Sequence, residues 1–194
     1  MKAWELTRWC VGFTVLFFAF IFILNGFNEP ALRINIRWSA RFAAFYFSFA
    51  FMASSLQYFI KGRFSFWLLS NRKFVGISYA IVHLIHLSFL VLLQLVFHPV
   101  FEMAELTSLL GGGIAYFFTM VMLITSFGRF KTLLTPTTWK WIHTIGSYWI
   151  WSIFMISYLK RVDTEISYLP MILLVGLAFV LRIVKLFHSR FIKT

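Results

Sequence analysis

Two histidines lie one helical turn apart in the apolar stretch NRKFVGISYAIVHLIHLSFLVLLQL. They are His83 and His86, and a third histidine, His143, lies in a later apolar stretch; the chain has five histidines in all. Ionisable side chains are costly in hydrocarbon, and those found there commonly belong to a functional site. Neutral imidazole is a good axial ligand for heme iron. These three residues are therefore the leading candidates for metal ligands.

The composition is that of an integral membrane protein. Of the 194 residues, 61% are hydrophobic and only 12% are charged, about half the charged fraction of a soluble domain, and the mean hydropathy is +0.84. The net charge of +12 does not indicate nucleic-acid binding, because the basic residues form short clusters between apolar runs. The single cysteine, Cys10, excludes an internal disulfide and a cysteine-rich metal site. Membrane lipid is the expected surrounding, and no nucleic-acid partner is expected.

Six apolar stretches are long enough, or nearly so, to cross a bilayer. They cover residues 9–25, 41–59, 74–97, 109–127, 139–159 and 168–187. The runs show no period-two alternation, so helices are predicted rather than strands. Short connections make consecutive helices antiparallel neighbours. The predicted fold is an all-α membrane protein, a single six-helix transmembrane domain over residues 1–194.

Basic residues are divided unequally between the two sides of this predicted bundle. Of the 18 Lys and Arg residues, 13 fall on the side that holds both termini and 5 on the other. Positively charged residues concentrate on the cytoplasmic side of membrane proteins. Both termini are therefore predicted to be cytoplasmic, and the bacterial inner membrane is the expected location.

The helical rise of about 1.5 Å per residue gives the depth of each histidine. His86 should lie roughly 21 Å beyond Arg72 and His83 roughly 16 Å beyond it, near mid-membrane. His143 lies one turn beyond Trp139, in the inner leaflet. The third and fifth predicted helices run in the same direction, so their histidines could hold a heme edge-on between them. The alternative is that each imidazole hydrogen-bonds a neighbouring helix.

Motifs for other chemistries are absent from the sequence. It contains no HExxH, no GxSxG, no Walker loop and no dinucleotide-binding glycine motif. No motif supports a flavin or a quinone site, so electrons would have to come from a separate donor.

Two blocks of the sequence carry a family resemblance. In RKFVGISYAIVHLIHLSFLVLLQL, a basic pair, Arg72 and Lys73, precedes Gly76, and His86 follows that glycine by ten residues. In TSFGRFKTLLTPTTWKWIHTIGSYWIW, a Thr-Ser pair, a basic loop and a tryptophan lead to His143. Both blocks resemble the ferric reductase-like transmembrane domain family, and most of all its MsrQ-type heme-binding membrane subunits. The resemblance covers nearly the whole chain, including helix number and loop lengths.

The resemblance implies that the chain binds b-type heme, and the departures from the family pattern limit the number of hemes. In the family, the histidine matched by His143 holds an inner heme near the basic pair. The histidine matched by His86 pairs, toward the outer leaflet, with another about thirteen residues after the His143 position. That position is Ile156 here, and isoleucine cannot ligate iron. His83 is an addition to the family pattern, one turn closer to the cytoplasmic side.

Three arrangements remain open on the sequence. One heme could lie between His143 and His83, or an outer heme could lie on His86 with Met155 or nothing opposite. The chain could also bind no heme. Methionine ligates heme iron in cytochromes. We expect a single b-type heme with His143 as one ligand and either His83 or His86 as the other.

Three cations are predicted partners for heme propionates: Arg41, Arg72 and Lys73. Arg41 stands where the family has an arginine, and the other two form the basic pair. Cations beside buried carboxylates offset their desolvation. The alternative is that the three side chains snorkel to the membrane interface as anchors.

The function predicted from these features is electron transfer across the membrane. Electrons would pass from a cytoplasmic flavoprotein or quinol to an extracytoplasmic acceptor, such as a periplasmic redox partner. The chain would then be an oxidoreductase component. The alternative is a heme-free relative that acts as a membrane scaffold or accessory subunit. The absence of the family's histidine at position 156, where this chain has Ile156, favours that alternative.

Overall fold

The computed structural model describes residues 3–98 and 103–191, and these are almost entirely helical, with no strand among them. The helices are α1 Ala3–Asn25, α2 Glu29–Phe59, α3 Arg63–Phe97, α4 Met103–Ile124, α5 Gly128–Lys131, α6 Pro136–Val162 and α7 Leu169–Phe191, with a 3₁₀ turn at Ile166–Tyr168. The all-α fold class is confirmed. The six long helices overlap the six predicted stretches, and α5 is a single short turn before α6.

Among the described residues, three segments are long and apolar enough to cross a membrane: Trp4–Asn25, Arg63–Phe97 and Ile166–Ser189. Leu110–Ile124 is apolar but shorter. Helices α2 and α6 carry more polar and charged residues. These features are compatible with an integral membrane protein. That all six long helices cross the membrane stays a prediction, as does the location of the termini.

Helices α2 and α3 begin well before the apolar stretches that predicted them. Helix α2 starts at Glu29 rather than near position 41, because the side chain of Asn28 accepts a 2.9 Å hydrogen bond from the Ala31 amide. Pro30 in the first turn has the φ angle that a helix start needs. Helix α3 begins at Arg63 rather than near position 74. Hydropathy detects the apolar part of a helix, whereas capping residues fix its start.

Helix α2 lies at the centre of the bundle and packs against α3 and α7. Its facing surface carries small, fully buried residues, Ala43, Ala44 and Ala53. On α7, Val175 and Ala178 are fully buried as well. Small side chains let helix backbones approach closely, which is how helices associate in lipid.

Side-chain contacts show which helix ends lie together. The Trp4 ring contacts the rings of Phe74 and Phe127, at centroid distances of 5.3 and 6.0 Å. The hydroxyl of Tyr58 lies 2.8 Å from Nδ1 of His188. The start of α1 therefore meets the end of α4, and the end of α2 meets the end of α7. We call this end of the bundle the basic end, because most lysines and arginines of the described chain lie toward it.

Candidate functional site

A cavity of about 610 Å³ lies within the bundle, toward the basic end. Helices α2, α3, α4, α6 and α7 all contribute to its wall. Its volume is within the range of pockets for small molecules and cofactors, about 300–1,000 Å³. The lining combines apolar side chains with basic and hydroxyl groups. This is the combination that a largely apolar ligand with charged substituents requires.

His143 is the histidine of this cavity. All five histidines lie in the described part of the chain, and only His143 lines the cavity. Its ring stacks on Trp139, one turn earlier, with centroids 4.1 Å apart. Its Nε2 lies 3.0 Å from Oγ1 of Thr125, which donates its own hydroxyl proton to the Val121 carbonyl at 2.7 Å. The imidazole therefore donates from Nε2 and is held between an aromatic ring and a hydroxyl.

Four basic side chains line the same cavity, namely Arg72, Lys73, Lys140 and Arg182. No Asp or Glu whose side chain the structure describes lines it. Arg182 is firmly placed, since it donates a 3.1 Å hydrogen bond to the Phe51 carbonyl. Its guanidinium also lies 4.3 and 5.0 Å from the ring centroids of Phe51 and Tyr148. A cavity whose charged lining residues are all cations, and whose other walls have a low dielectric constant, attracts anions.

Arg182 and Lys140 were not predicted to belong to the site. Arg182 lies inside the last predicted stretch, five residues before its end. An arginine within a span is a candidate for function by default, so a signal was present. That signal was missed because Arg182 was counted only among the basic residues that set the orientation of the bundle.

His83 and His86 lie outside this cavity, in a stack of rings. The His83 ring is 4.3 Å from that of Tyr116 and 5.6 Å from that of Phe154, measured between centroids. His83 is buried, and neither of its nitrogens has a hydrogen-bond partner among the described residues. His86 places Nδ1 2.9 Å from the hydroxyl of Ser39. Tightly packed rings surround His83, and a hydrogen bond to α2 holds His86.

Tyr79 stands between the cavity and this ring stack. It lines the cavity, and its ring is 5.4 Å from that of His83. Its hydroxyl donates a 2.7 Å hydrogen bond to Thr119, because the Thr119 hydroxyl donates to the Ala115 carbonyl at 2.8 Å. Tyr79 is fixed at both its ring and its hydroxyl. It therefore closes the cavity on the side of His83.

Arg41 lies near the opposite end of the bundle and does not line the cavity. Its guanidinium donates to the hydroxyl of Ser167 at 2.8 Å and pairs with Glu165 at 3.4 Å. It also lies 5.0 and 4.6 Å from the ring centroids of Trp38 and Tyr168. The described contacts of Arg41 thus join the first half of α2 to the turn before α7.

Three of the six predicted site residues therefore line one cavity: His143, Arg72 and Lys73. His83 and His86 are together in the ring stack, and Arg41 is apart from both groups. Of the cations predicted to hold propionates, the structure brings only the basic pair to His143.

On helix α6, Met155, which was the candidate ligand opposite His86, packs toward α7 rather than toward the histidines of α3. Phe154 contacts the His83 ring. The Met155 methyl group is 3.6 Å from where a Cβ at Gly176 would lie, so Met155 packs toward α7. Ile156, at the family's histidine position, is 49% exposed on the bundle surface.

No protein-family model matches the chain, and no curated protein is significantly similar to it. The resemblance to the ferric reductase-like domain therefore stands on the two sequence blocks. Within the described ranges, no group of three or more His, Cys, Asp or Glu side chains could hold a metal ion. A heme iron needs only one or two ligands from the protein.

Proposed function

We propose that the protein is a membrane electron-transfer protein that binds a single b-type heme in the cavity beside His143. The proposal depends on one observation: an imidazole and four cations line the same cavity, and no described carboxylate does. Heme needs both kinds of group, a nitrogen ligand for its iron and cations for its two propionates.

The cavity wall at Gly76 also suits a flat macrocycle. Gly76 lines the cavity, and a Cβ built there would meet no atom within 4 Å. A porphyrin could lie against this part of the α3 backbone without displacing a side chain. His83 and His86 do not line the cavity, so the proposal assigns His143 alone as protein ligand.

The heme, when bound, supplies the one-electron chemistry. His143 holds the ligand position, and the Trp139 ring stacked on it keeps the imidazole plane in place. Arg72, Lys73 and Arg182 would bind the propionates, and their positive charge would favour the reduced state of the site. The apolar residues of the wall, Phe47, Phe51 and Ile77 among them, would keep bulk water out.

The membrane setting is part of the proposal. Six long helices would cross the bilayer with the basic end in the cytoplasm, as the positive-inside rule favours. Electrons would enter from a cytoplasmic flavoprotein or from quinol and leave to an extracytoplasmic acceptor. The bacterial inner membrane is the setting that such a pair of partners implies.

The visible spectrum of the detergent-purified protein, oxidised and dithionite-reduced, tests the proposal. We expect a heme Soret band, a shift of that band on reduction and a single heme per chain. His143→Ala should lose the bands, whereas His98→Asn, which removes a histidine beyond the end of α3, should keep them. Full heme in His143→Ala would overturn the ligand assignment. A colourless protein from heme-replete cells would favour the heme-free scaffold or accessory subunit.

Gly76→Phe tests the location of the heme independently of its ligand. The new ring would enter the cavity, because the Cβ direction at Gly76 is open. Gly113→Phe is the matched control, since Gly113 is exposed on α4 and its Cβ position is equally open. We expect loss of heme in the first variant and retention in the second. Equal heme content in both variants would place the heme elsewhere.

A further inference from the structure

A second cavity, also of about 610 Å³, lies at the basic end between the C-terminal parts of α2 and α7. Its polar lining includes Gln57, Tyr58, Lys61, Lys185 and His188. No carboxylate among the described residues lines it. The proposed electron transfer makes no use of these residues.

Two of the three basic groups of this second cavity, Lys185 and His188, are held in place by the protein, whereas Lys61 is exposed. Lys185 donates a 3.0 Å hydrogen bond to the Ser54 carbonyl, and its ammonium lies 5.6 Å from the Tyr58 ring centroid. The Tyr58 hydroxyl is 2.8 Å from Nδ1 of His188. Ordered cations lose less conformational entropy when they bind an anion, so they bind it more tightly than mobile surface lysines do.

Gln57 adds a hydrogen-bond acceptor that has no donor. Its Oε1 is buried and has no hydrogen-bond partner in the described part of the chain. A buried acceptor without a partner is unfavourable. Gln57 lines the cavity, and a turn of its side chain that brings Oε1 into the cavity would let a ligand hydroxyl donate to it and remove that cost. The second cavity therefore suits a ligand with both an anionic group and a hydroxyl group.

Exposed apolar residues lie on the same helix ends as the second cavity. Phe59 lines it, and Ile60 follows at the end of α2; both are exposed. Phe187 and Phe191 are exposed on the last turns of α7. An amphipathic ligand could place its polar part in the cavity and its hydrocarbon along these side chains.

We propose that the second cavity binds the headgroup of an anionic glycerophospholipid that carries a free hydroxyl, for which phosphatidylglycerol is the simplest probe. Lys61, Lys185 and His188 would bind the phosphodiester, and Gln57 would accept from the headgroup hydroxyl. The acyl chains would lie along the exposed apolar residues. This inference rests on the membrane insertion that is part of the proposed function, but it does not depend on the heme.

Lipid titrations followed by native mass spectrometry test the inference on the purified protein. Phosphatidylglycerol should bind more tightly than phosphatidylmethanol, which has the same charge but no headgroup hydroxyl. Phosphatidylcholine, with no net charge, should bind most weakly. Glycerol 3-phosphate and inorganic phosphate are the soluble probes. Binding of these as tight as that of phosphatidylglycerol would overturn the assignment to a lipid, as would equal binding of all three lipids.

Lys61→Gln and Arg63→Gln form a matched pair of variants. Each removes one positive charge from the α2–α3 turn, and only Lys61 lines the second cavity. Lys61→Gln should weaken phosphatidylglycerol binding about fivefold, and Arg63→Gln should have a much smaller effect. Equal losses would mean general surface attraction and would overturn the site.

Gln57→Leu tests the hydroxyl contact. The variant should bind phosphatidylglycerol and phosphatidylmethanol equally well, because both lipids keep the phosphate contacts. A retained preference for phosphatidylglycerol would overturn the role of Gln57.

Spectra recorded on the same samples separate this inference from the proposed function. A protein with heme that fails to select phosphatidylglycerol would defeat the lipid site alone. A colourless protein that selects phosphatidylglycerol would defeat the heme proposal alone.

Discussion

Nε2 of the His143 imidazole lies 3.0 Å from the hydroxyl oxygen of Thr125, within hydrogen-bond distance. The Thr125 hydroxyl donates its proton to the Val121 carbonyl, so toward the imidazole it acts as acceptor. Heme iron would require an imidazole nitrogen without its proton. At Nε2, ligation and the hydrogen bond to Thr125 therefore compete. Thr125 is a residue through which the protein can set the affinity of His143 for a metal.

Thr125→Val should tighten heme binding and slightly destabilise the heme-free protein. Valine has the shape of threonine but cannot accept the hydrogen bond. We expect a loss of about 1 kcal/mol in the stability of the heme-free protein and a gain of about fivefold in hemin affinity. Thr125→Ser, which keeps the hydroxyl, is the control. The competition between iron and hydroxyl is refuted if the valine variant binds hemin no more tightly than the serine variant.

His83→Phe should leave the protein as stable as the wild type or more stable. Both nitrogens of His83 are buried without a described partner, and the ring packs against Tyr116 and Phe154. Phenylalanine keeps a planar ring there and removes the buried polar atoms, which is neutral or favourable. Thermal unfolding in detergent provides the measurement.

His86→Phe is the comparison for that experiment, because it breaks the 2.9 Å hydrogen bond to Ser39. It should cost about 1 kcal/mol, as for a hydrogen bond between membrane helices. Both variants should keep the heme spectrum if His143 is the only protein ligand. Loss of heme in His83→Phe would instead make His83 a ligand.

The sequence predicted that the three histidines lie on long helices but not the direction in which each ring faces. Residue spacing and helical rise place His83, His86 and His143 along their helices. Which side of α3 faces α6 depends on how every neighbouring side chain packs, and no local pattern encodes it. The ring of Tyr79, which separates His83 from the cavity, could not be foreseen from spacing.

The six long helices were predictable because long apolar runs without alternation leave few other structures in lipid. The nearness of Arg72 and Lys73 to His143 was also foreseen, through the family resemblance. The early start of α2 was not predicted, because Asn28 and Pro30 favour a helix start through capping and backbone geometry, which hydropathy does not detect. The place of Arg182 in the cavity depends on how α7 is rotated against α2.

Gly146→Ala should destabilise the contact between α4 and α6. A Cβ at Gly146 would lie 2.9 Å from Sδ of Met122 and 2.9 Å from Cδ1 of Phe118. Such overpacking typically costs about 1–3 kcal/mol. Gly113→Ala, with open space at its Cβ, should instead gain up to about 1 kcal/mol from helix propensity. Chemical unfolding in mixed micelles measures both, and equal stability of the two variants would contradict this account of the α4–α6 contact.

The turn before α7 should weaken in acid because of Glu165. A hydrogen bond from the Ser167 hydroxyl, and then the charges of Arg41 and Arg37, hold the pKa of Glu165 below its ordinary value. A carboxyl whose pKa is lower in the folded than in the unfolded state stabilises fully above the unfolded pKa. That contribution is lost as the pH falls through the folded pKa.

The Tm of the wild type should therefore fall more steeply than that of Glu165→Gln between about pH 5 and pH 3, where carboxyl groups titrate. Above about pH 6 the two curves should run parallel, because the carboxylate is then ionised in both states. The Glu165 side chain is 41% exposed, so added salt should reduce the difference by screening the pair with Arg41. Parallel curves down to the lowest pH would show that the bond from Arg41 to Ser167 holds the turn without help from the carboxylate.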